Sequence, residues 1–173
     1  SFSDDYTLLY TGEYADQSDY QDGSSIIDAG YQLLELGLQA KKITYKIGWE
    51  LLEGDGVYGF QTPFATLHAH NGWADKFLVT PREGLEDLYF SVGAKVAGIR
   101  LLGVYHDFSS DFGGIDYGTE LDLLATRKFK EMYTVGIKFA SYDGENAATI
   151  PIPPLTGTDL DTEKIWLWLQ LKF

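Results

Sequence analysis

The chain has 173 residues, which is about the length of one domain. Its 19 glycines and its 15% of aromatic residues favour strands and tight turns over a helical bundle. The absence of cysteine excludes a disulfide scaffold, a thiolate zinc site and a cysteine nucleophile. A formal charge of −13 argues against nucleic acid as a partner.

Alternation of apolar and polar residues with a period of two predicts eight strands. The pattern is clearest where Ile43, Tyr45 and Ile47 share one face and polar or small residues share the other. No apolar run reaches 18 residues, so a transmembrane helix is excluded, whereas a membrane strand needs only about 10 alternating residues. In chain order the predicted strands span residues 6–14, 29–40, 43–52, 88–96, 99–108, 117–125, 133–140 and 165–173.

The connections between these strands alternate in length. Those at residues 41–42, 97–98 and 128–131 are short, whereas those around 16–25, 54–84, 109–116 and 143–161 are long and rich in Gly, Asp, Asn or Pro. Short and long connections therefore lie at opposite ends of the sheet, with basic residues near the short turns and acidic residues near the long loops. This arrangement is typical of the up-and-down meander of an outer-membrane barrel.

The sequence thus predicts one all-β domain over residues 1–173, an eight-stranded antiparallel up-and-down transmembrane β-barrel. A soluble lipocalin-like barrel has the same strand order with its faces inverted, and it stays open as an alternative. The membrane barrel has the better use for the large apolar and aromatic residues, which would face lipid or form interfacial girdles. The predicted lipid-facing residues are Leu34, Leu36, Leu38, Ile47, Phe90, Val92, Leu121, Leu123, Val135, Ile137, Leu167 and Leu169.

The opposite face of the strands would line the lumen. An eight-stranded barrel is just wide enough for side chains to fill, so these residues form either a neutralised plug or, in a larger barrel, the wall of an aqueous pore. The predicted lumen-lining residues are Glu13, Glu35, Lys46, Glu50, Lys95, Asp107, Glu120, Asp122, Lys138, Trp166, Trp168 and Lys172.

The longest connection, residues 54–84, carries more large apolar side chains than a solvated loop needs. We expect Phe60, Phe64, Trp73, Asp75 and Phe77 to cap the barrel mouth or to constrict a pore. On either interpretation the segment is ordered, and Trp73 is at least half buried.

Three segments carry a resemblance to a known family: residues 60–98, 104–123 and 161–173. They resemble the C-terminal part of outer-membrane proteins of the alginate-export porin-like family of Gram-negative bacteria. The likeness extends from residue 11 to residue 173 and is sharpest in Asn71-Gly72-Trp73-Ala74-Asp75 and in Tyr-His-Asp-Phe at 105–108. The resemblance implies a bacterial outer-membrane location and a porin-like passive channel for small hydrophilic solutes. It also implies contact with the lipid bilayer, with outer-membrane lipid and with the assembly machinery, for which the terminal Phe173 looks like the recognition signal.

Two departures limit the resemblance. Members of the family form barrels of roughly twice this strand number, so the chain looks like the C-terminal half of a larger barrel or a piece closed into a small one. Alginate export does not transfer, because the family's exporter has an arginine-rich lumen, whereas this chain contains only three arginines, Arg82, Arg100 and Arg127. A chain that begins at Ser1 without a signal peptide is expected to be a mature form, an excised piece or an engineered one.

Three functions stay open at this point. The porin-like channel comes first, a closed and non-conducting structural or engineered membrane barrel comes second, and a soluble lipocalin-like binder comes third. We predict no enzyme, no cofactor and no metal, and the oligomeric state is left open. His68 and His70 lie near Asp75, and His106 precedes Asp107, but no G-x-S-x-G motif or third metal ligand accompanies them.

Overall fold

The structure is a computed structural model that describes residues 6–23, 25–62, 71–130, 132–145 and 160–172. These residues form one sheet of eight strands, in which every strand is antiparallel to its neighbours in the chain. The strands are β1 (Tyr6–Ser18), β2 (Asp28–Ala40), β3 (Ile43–Leu52), β4 (Leu85–Val96), β5 (Ile99–Ser109), β6 (Asp116–Phe129), β7 (Tyr133–Gly144) and β8 (Thr162–Leu171). The predicted all-β class with eight up-and-down strands is confirmed. In the described ranges no helix is long and apolar enough to cross a membrane.

Several strands are longer than predicted at the end that carries the long loops. β1 continues to Ser18 rather than ending at residue 14, and β4 begins at Leu85 rather than at residue 88. Residues in these extensions are largely polar, so they do not alternate. Backbone pairing does not require an apolar side chain, and the strands therefore continue past the last residue of the pattern.

The short turns have the backbone geometry of tight hairpins. Ala97 and Gly98, which join β4 to β5, have φ angles of 49° and 79°. Two consecutive positive φ values are typical of a type I′ turn, whose twist matches that of the flanking strands. These turns keep neighbouring strands in uninterrupted register up to the hairpin, as in the pairing of Val96 with Ile99.

Register places apolar side chains in rows across the sheet. Leu36 lies opposite Ile47, and Ile47 lies opposite Phe90. We call the side that carries these residues the outer face and the opposite side the inner face. Eleven of the twelve side chains predicted to face lipid are exposed on the outer face, Leu167 to 76%, and Val92 is partly exposed.

β1 and β8 form the two edges of the sheet. In the part of the chain that the structure describes, neither edge strand pairs with the other. One cavity is lined by residues from β1 through β7, among them Glu13 and Thr134, which shows that the sheet curves. Closure into a barrel is not seen in these residues and stays a prediction.

Candidate functional site

The inner face buries charged side chains. Glu50 of β3, Asp87 of β4, and Glu120 and Asp122 of β6 are all buried, and Asp122 is 0% exposed. His106 of β5 is buried beside them. Successive side chains of a strand point to opposite faces, so the residues between the outward-pointing apolar residues must point inward. Buried charge of this density requires partners or water.

A segment of the longest connection supplies many of these partners. We call residues Asn71–Phe77 the inward segment, because they lie against the inner face. The backbone N–H of Trp73 donates to Asp122 Oδ2 at 3.1 Å, and that of Ala74 donates to Glu120 Oε1 at 2.7 Å. The Asn71 side chain donates to Glu50 Oε2 at 2.7 Å. The inward segment is therefore bound to two strands, β3 and β6, by three carboxylates.

The backbone of the inward segment turns sharply to make these contacts. Asn71, Gly72 and Asp75 have positive φ angles of 51°, 83° and 60°. Gly72 is buried against the carboxyl group of Glu120, which occupies the space that a Cβ atom would need. Only glycine fits this position, because both the φ angle and the close approach exclude a side chain.

An aromatic cluster surrounds the end of the inward segment. The Phe77 ring lies 4.6 Å from that of Phe108 and 5.5 Å from that of Tyr117, between centroids. Tyr142 completes the cluster and donates its hydroxyl to the carbonyl of Tyr117. Phe60, near the start of the same connection, is buried against Tyr31 at 5.6 Å between ring centroids. These contacts anchor both described parts of the connection inside the curve of the sheet.

Lysine side chains from the last two strands also hold the inward segment. Lys164 Nζ of β8 lies 2.7 Å from Asp75 Oδ2, and Lys138 of β7 lies over the Trp73 ring. Lys76 donates to the carbonyl oxygen of Leu160 at 2.6 Å. The inward segment thus contacts side chains or backbone from both halves of the sequence.

The start of the connection folds as a small hairpin over the long-loop end of β1. Asp55 Oδ1 accepts hydrogen bonds from the backbone N–H groups of Tyr58 and Val57, which hold the pKa of Asp55 below its usual range. Gln17 of β1 accepts from the Tyr58 hydroxyl at 2.7 Å and from the Gln61 backbone N–H at 3.0 Å. These bonds fix the direction in which the chain enters the interior.

A cavity of about 940 Å³ lies between the inward segment and the short turns. Its wall includes two hydrogen-bonded sets: the Tyr31 hydroxyl donates to Glu50 Oε1 at 2.8 Å, and Glu35 accepts from Tyr89 and Lys46 at 3.0 and 2.9 Å. Near the short turns the wall is basic, since it includes Lys42, Lys95, Arg100 and Lys128. The wall also includes apolar side chains, among them Leu33, Leu102 and Val104.

The predicted site residues fall into several groups. Glu13, Glu35, Lys46, Glu50 and Lys95 line the cavity, whereas Glu120, Asp122 and Lys138 contact the inward segment. Trp166 and Trp168 of β8 are half buried, and Lys172 is exposed. In the connection, Trp73 and Asp75 are half buried and Phe60 and Phe77 are buried, so the expectation for Trp73 is confirmed. Phe64 and Phe173 lie outside the described residues.

Asp107 does not face the lumen, and its prediction is wrong. It lies opposite Leu88, an exposed residue of the outer face, and is itself exposed. The inner face is occupied instead by its neighbour His106, which is buried. β5 has apolar residues on both faces, so its pattern does not determine which side points inward.

Sequence reasoning missed a pair of inner-face residues. His106 Nδ1 lies 3.0 and 2.9 Å from the two carboxylate oxygens of Asp87. Asp87 precedes the predicted start of its strand, so it was not assigned to a face. The available signal was its position two residues before Tyr89, within the same alternation.

His68 and His70, which lie near Asp75 in the sequence, are outside the described residues. Within the described ranges no group of three His, Cys, Asp or Glu side chains is placed to hold a metal ion. A scan of protein-family models and a search of curated proteins found no match to this chain.

Proposed function

We propose that the chain forms the wall of a porin-like passive channel in a bacterial outer membrane, narrowed by the inward segment. The observation that carries this proposal is the inversion of the two faces. Leucine, isoleucine and phenylalanine side chains are exposed on the outer face, while Asp87, Glu120 and Asp122 are almost completely buried on the inner face. A protein folded in water has the opposite distribution.

A lipid bilayer accounts for this distribution physically. Each apolar side chain on the outer face gains contact with hydrocarbon, and a lysine in its place near the midplane would cost about 2 to 4 kcal/mol. Every backbone group within the hydrocarbon must be paired, and the antiparallel ladder satisfies the backbone groups between neighbouring strands. The inversion therefore supports a membrane-spanning wall over a lipocalin-like binder.

The interior supports passage of small hydrophilic solutes. The cavity has carboxylate, ammonium and hydroxyl groups along its wall, including Glu35, Lys46 and Thr44. Such groups replace part of the hydration of a polar solute. The inward segment lies across the deep end of this cavity, where Asn71, Gly72 and Trp73 contribute to its wall.

In the described residues β1 and β8 are unpaired edges, and these edges constrain the number of strands in the wall. An unpaired strand edge within hydrocarbon costs several kcal/mol for each unsatisfied backbone group, so β1 and β8 must pair in the membrane. An eight-stranded barrel is just wide enough inside for side chains or one small ligand, whereas this sheet curves around both a chain segment and a cavity of about 940 Å³. These dimensions favour a wall with additional strands, whose number must be even for all pairs to be antiparallel.

A second candidate is a closed, non-conducting membrane barrel. It is favoured by the number of strands that bind the inward segment, since β3, β6, β7 and β8 all contribute a side chain to it. If β1 pairs directly with β8, these contacts fill the interior and no continuous passage remains.

Planar-bilayer recordings of the purified protein separate the two candidates. Stable single-channel conductance supports the channel, and its absence from bilayers shown to contain the folded protein supports the closed barrel. A protein that stays monodisperse in water without detergent, and does not enter vesicles, would contradict both and favour the soluble binder.

Disulfide trapping tests the width of the wall, because the chain contains no cysteine of its own. A panel combines cysteine at Tyr10 or Tyr14 of β1 with cysteine at Leu167 or Leu169 of β8. Intramolecular disulfides would indicate an eight-stranded closure, and intermolecular disulfides would indicate a wall shared between copies. The control is the pair Leu36→Cys and Ile47→Cys, which lie opposite each other in β2 and β3 and must form an intramolecular disulfide.

A further inference from the structure

Glu120 and Asp122 form a buried carboxyl pair on the inner face of β6. Their side chains are 1% and 0% exposed and interact directly. One oxygen of each accepts a backbone N–H from the inward segment. The remaining oxygens, Glu120 Oε2 and Asp122 Oδ1, have no hydrogen-bond partner among the described residues. Two buried carboxyl groups with one orphan oxygen each call for a cation at that place.

Two basic groups near the pair also have other partners. His106 Nε2 lies 3.9 Å from Asp122 Oδ2, and the same ring is bonded to Asp87 through Nδ1. Lys138 of β7 interacts with Asp122 and also lies over the Trp73 ring. The remaining charged groups around the inward segment are Glu50 of β3, Asp75 and Lys76 of the segment itself, and Lys164 of β8.

We propose that the orphan oxygens of Glu120 and Asp122 share a single proton, and that this proton-binding site holds the inward segment in place. A proton fits better than a metal ion. Calcium takes six to eight oxygen ligands, whereas the described residues bring no third His, Asp or Glu side chain into a metal-binding group here. A shared proton requires only the two oxygens, as in other buried carboxyl pairs that carry one proton between them.

The shared proton leaves one negative charge on the pair, and the N–H groups of Trp73 and Ala74 stabilise that charge. When the proton leaves to solvent, two negative charges face each other in a water-poor site. The repulsion is relieved if the pair takes up water, and water then competes for the carboxylate oxygens that bind the inward segment. Docking of the segment is thus linked to uptake of one proton, and raising the pH favours the undocked state.

The Glu120→Gln variant tests whether this proton holds the inward segment in place. The Gln side chain has the shape of the protonated acid: its carbonyl accepts from Ala74 and its amide donates to Asp122. We therefore expect the variant to keep the inward segment docked at every pH at which the protein is folded. The matched control is Glu50→Gln, which changes another buried carboxylate that binds the segment but whose two oxygens both have partners.

Two measurements on the protein in detergent test the proposal. Carbon-13 resonances of the Glu120 and Asp122 carboxyl groups report whether the pair carries one proton at about pH 7. Hydrogen exchange of the Trp73 and Ala74 amides, divided by the intrinsic rate at each pH, reports undocking. In the parent and in Glu50→Gln the undocked fraction should rise about tenfold per pH unit over the range in which the docked pair still holds the proton and the undocked pair has lost it. It should level off once the docked pair has also lost the proton. In Glu120→Gln it should not rise.

Three results would overturn the proposal. The first is a parent protein in which both carboxyl groups are already ionised at about pH 6. The second is the same pH dependence of exchange in Glu120→Gln as in the parent. The third is a shift of the two carboxyl resonances on addition of Ca²⁺ or EDTA, which would assign the orphan oxygens to a metal ion. None of these measurements depends on whether the protein conducts.

Discussion

The ammonium group of Lys138 lies 4.3 Å from the centre of the Trp73 ring. This contact joins β7 to the inward segment, and the same ammonium lies 5.6 Å from the centre of the Trp166 ring on β8. One cation is thus shared between two indole rings at the place where the inward segment meets the last strands. Lys138 also faces Asp122, so it connects the aromatic contacts to the buried carboxyl pair.

Removing this cation should loosen the inward segment. Lys138→Met keeps most of the length of the side chain but loses its charge, and a cation–π contact contributes about 0.5 to 2 kcal/mol, depending on its exposure to water. We expect faster hydrogen exchange at Trp73 and unchanged exchange in β2 and β3. The control is Lys95→Met, a lysine of the inner face that is exposed near the short turns. Equal effects of the two variants would show that general loss of charge, and not the Trp73 contact, is responsible.

Gly72→Ala should release the inward segment. The new methyl group would overlap the Glu120 carboxyl group, and Ala at a φ of 83° adds backbone strain of about 1 to 2 kcal/mol. Gly114→Ala is the matched control, because Gly114 has a φ of 64° but has nothing within 4 Å of the added atom. We expect proteolysis at Lys76 to accelerate in Gly72→Ala only. Similar acceleration in both variants would attribute the effect to backbone strain and not to the contact with Glu120.

The outer face was predictable from sequence because successive side chains of a strand point to opposite faces of the sheet, so that apolar residues at every second position share one face. Residues such as Ile47, Val135 and Leu169 identify their face without knowledge of the rest of the chain. β5 shows the limit of this reasoning. Its apolar residues occur at both odd and even positions. Only its register with β4 therefore shows that Asp107 points outward and His106 points inward.

The interior was only partly predictable, because it depends on contacts between distant parts of the chain. The aromatic content of the longest connection indicated that it would be ordered. Nothing local to that connection shows that Trp73 binds Asp122 and Lys138, residues that lie about 50 and about 65 positions later in the sequence. The sharing of a proton by Glu120 and Asp122 similarly follows from their burial, which a pattern of alternating residues does not report.

Gly136→Ala should destabilise the junction of β7 and β8. Gly136 lies opposite Trp168, and the indole ring occupies the space where a Cβ atom would stand. Overpacking at such a position costs about 1 to 3 kcal/mol. Gly12→Ala in β1 is the control, since its added atom would meet only Leu34, at 3.9 Å. Urea unfolding in detergent, followed by tryptophan fluorescence, should show a lower midpoint for Gly136→Ala than for Gly12→Ala. Equal midpoints would mean that Trp168 moves away without cost.

Lysine substitutions on the outer face test the membrane-spanning proposal most directly. Ile47→Lys and Leu169→Lys should each make folding into vesicles less favourable by about 2 to 4 kcal/mol if these positions lie near the bilayer midplane. Leu171→Lys, at the end of β8 near the short turns, should cost only about 0 to 1 kcal/mol, because the penalty falls toward the interface. The measurement is equilibrium folding into lipid vesicles as a function of denaturant.

The inner-face neighbours provide the opposite control for these lysine variants. Lys46 precedes Ile47, and its ammonium group lies 2.9 Å from a carboxylate oxygen of Glu35. Gln170 follows Leu169 in β8 and therefore points to the opposite face. Spin labels at residues 46 and 170 should be less accessible to a lipid-soluble quencher than labels at residues 47 and 169. If Ile47→Lys and Leu169→Lys fold into vesicles as well as the parent, and the labels at 46 and 170 are the ones that contact lipid, then the assignment of the two faces is wrong. The proposed channel wall would fail with it, because its outer face is what the bilayer must accept.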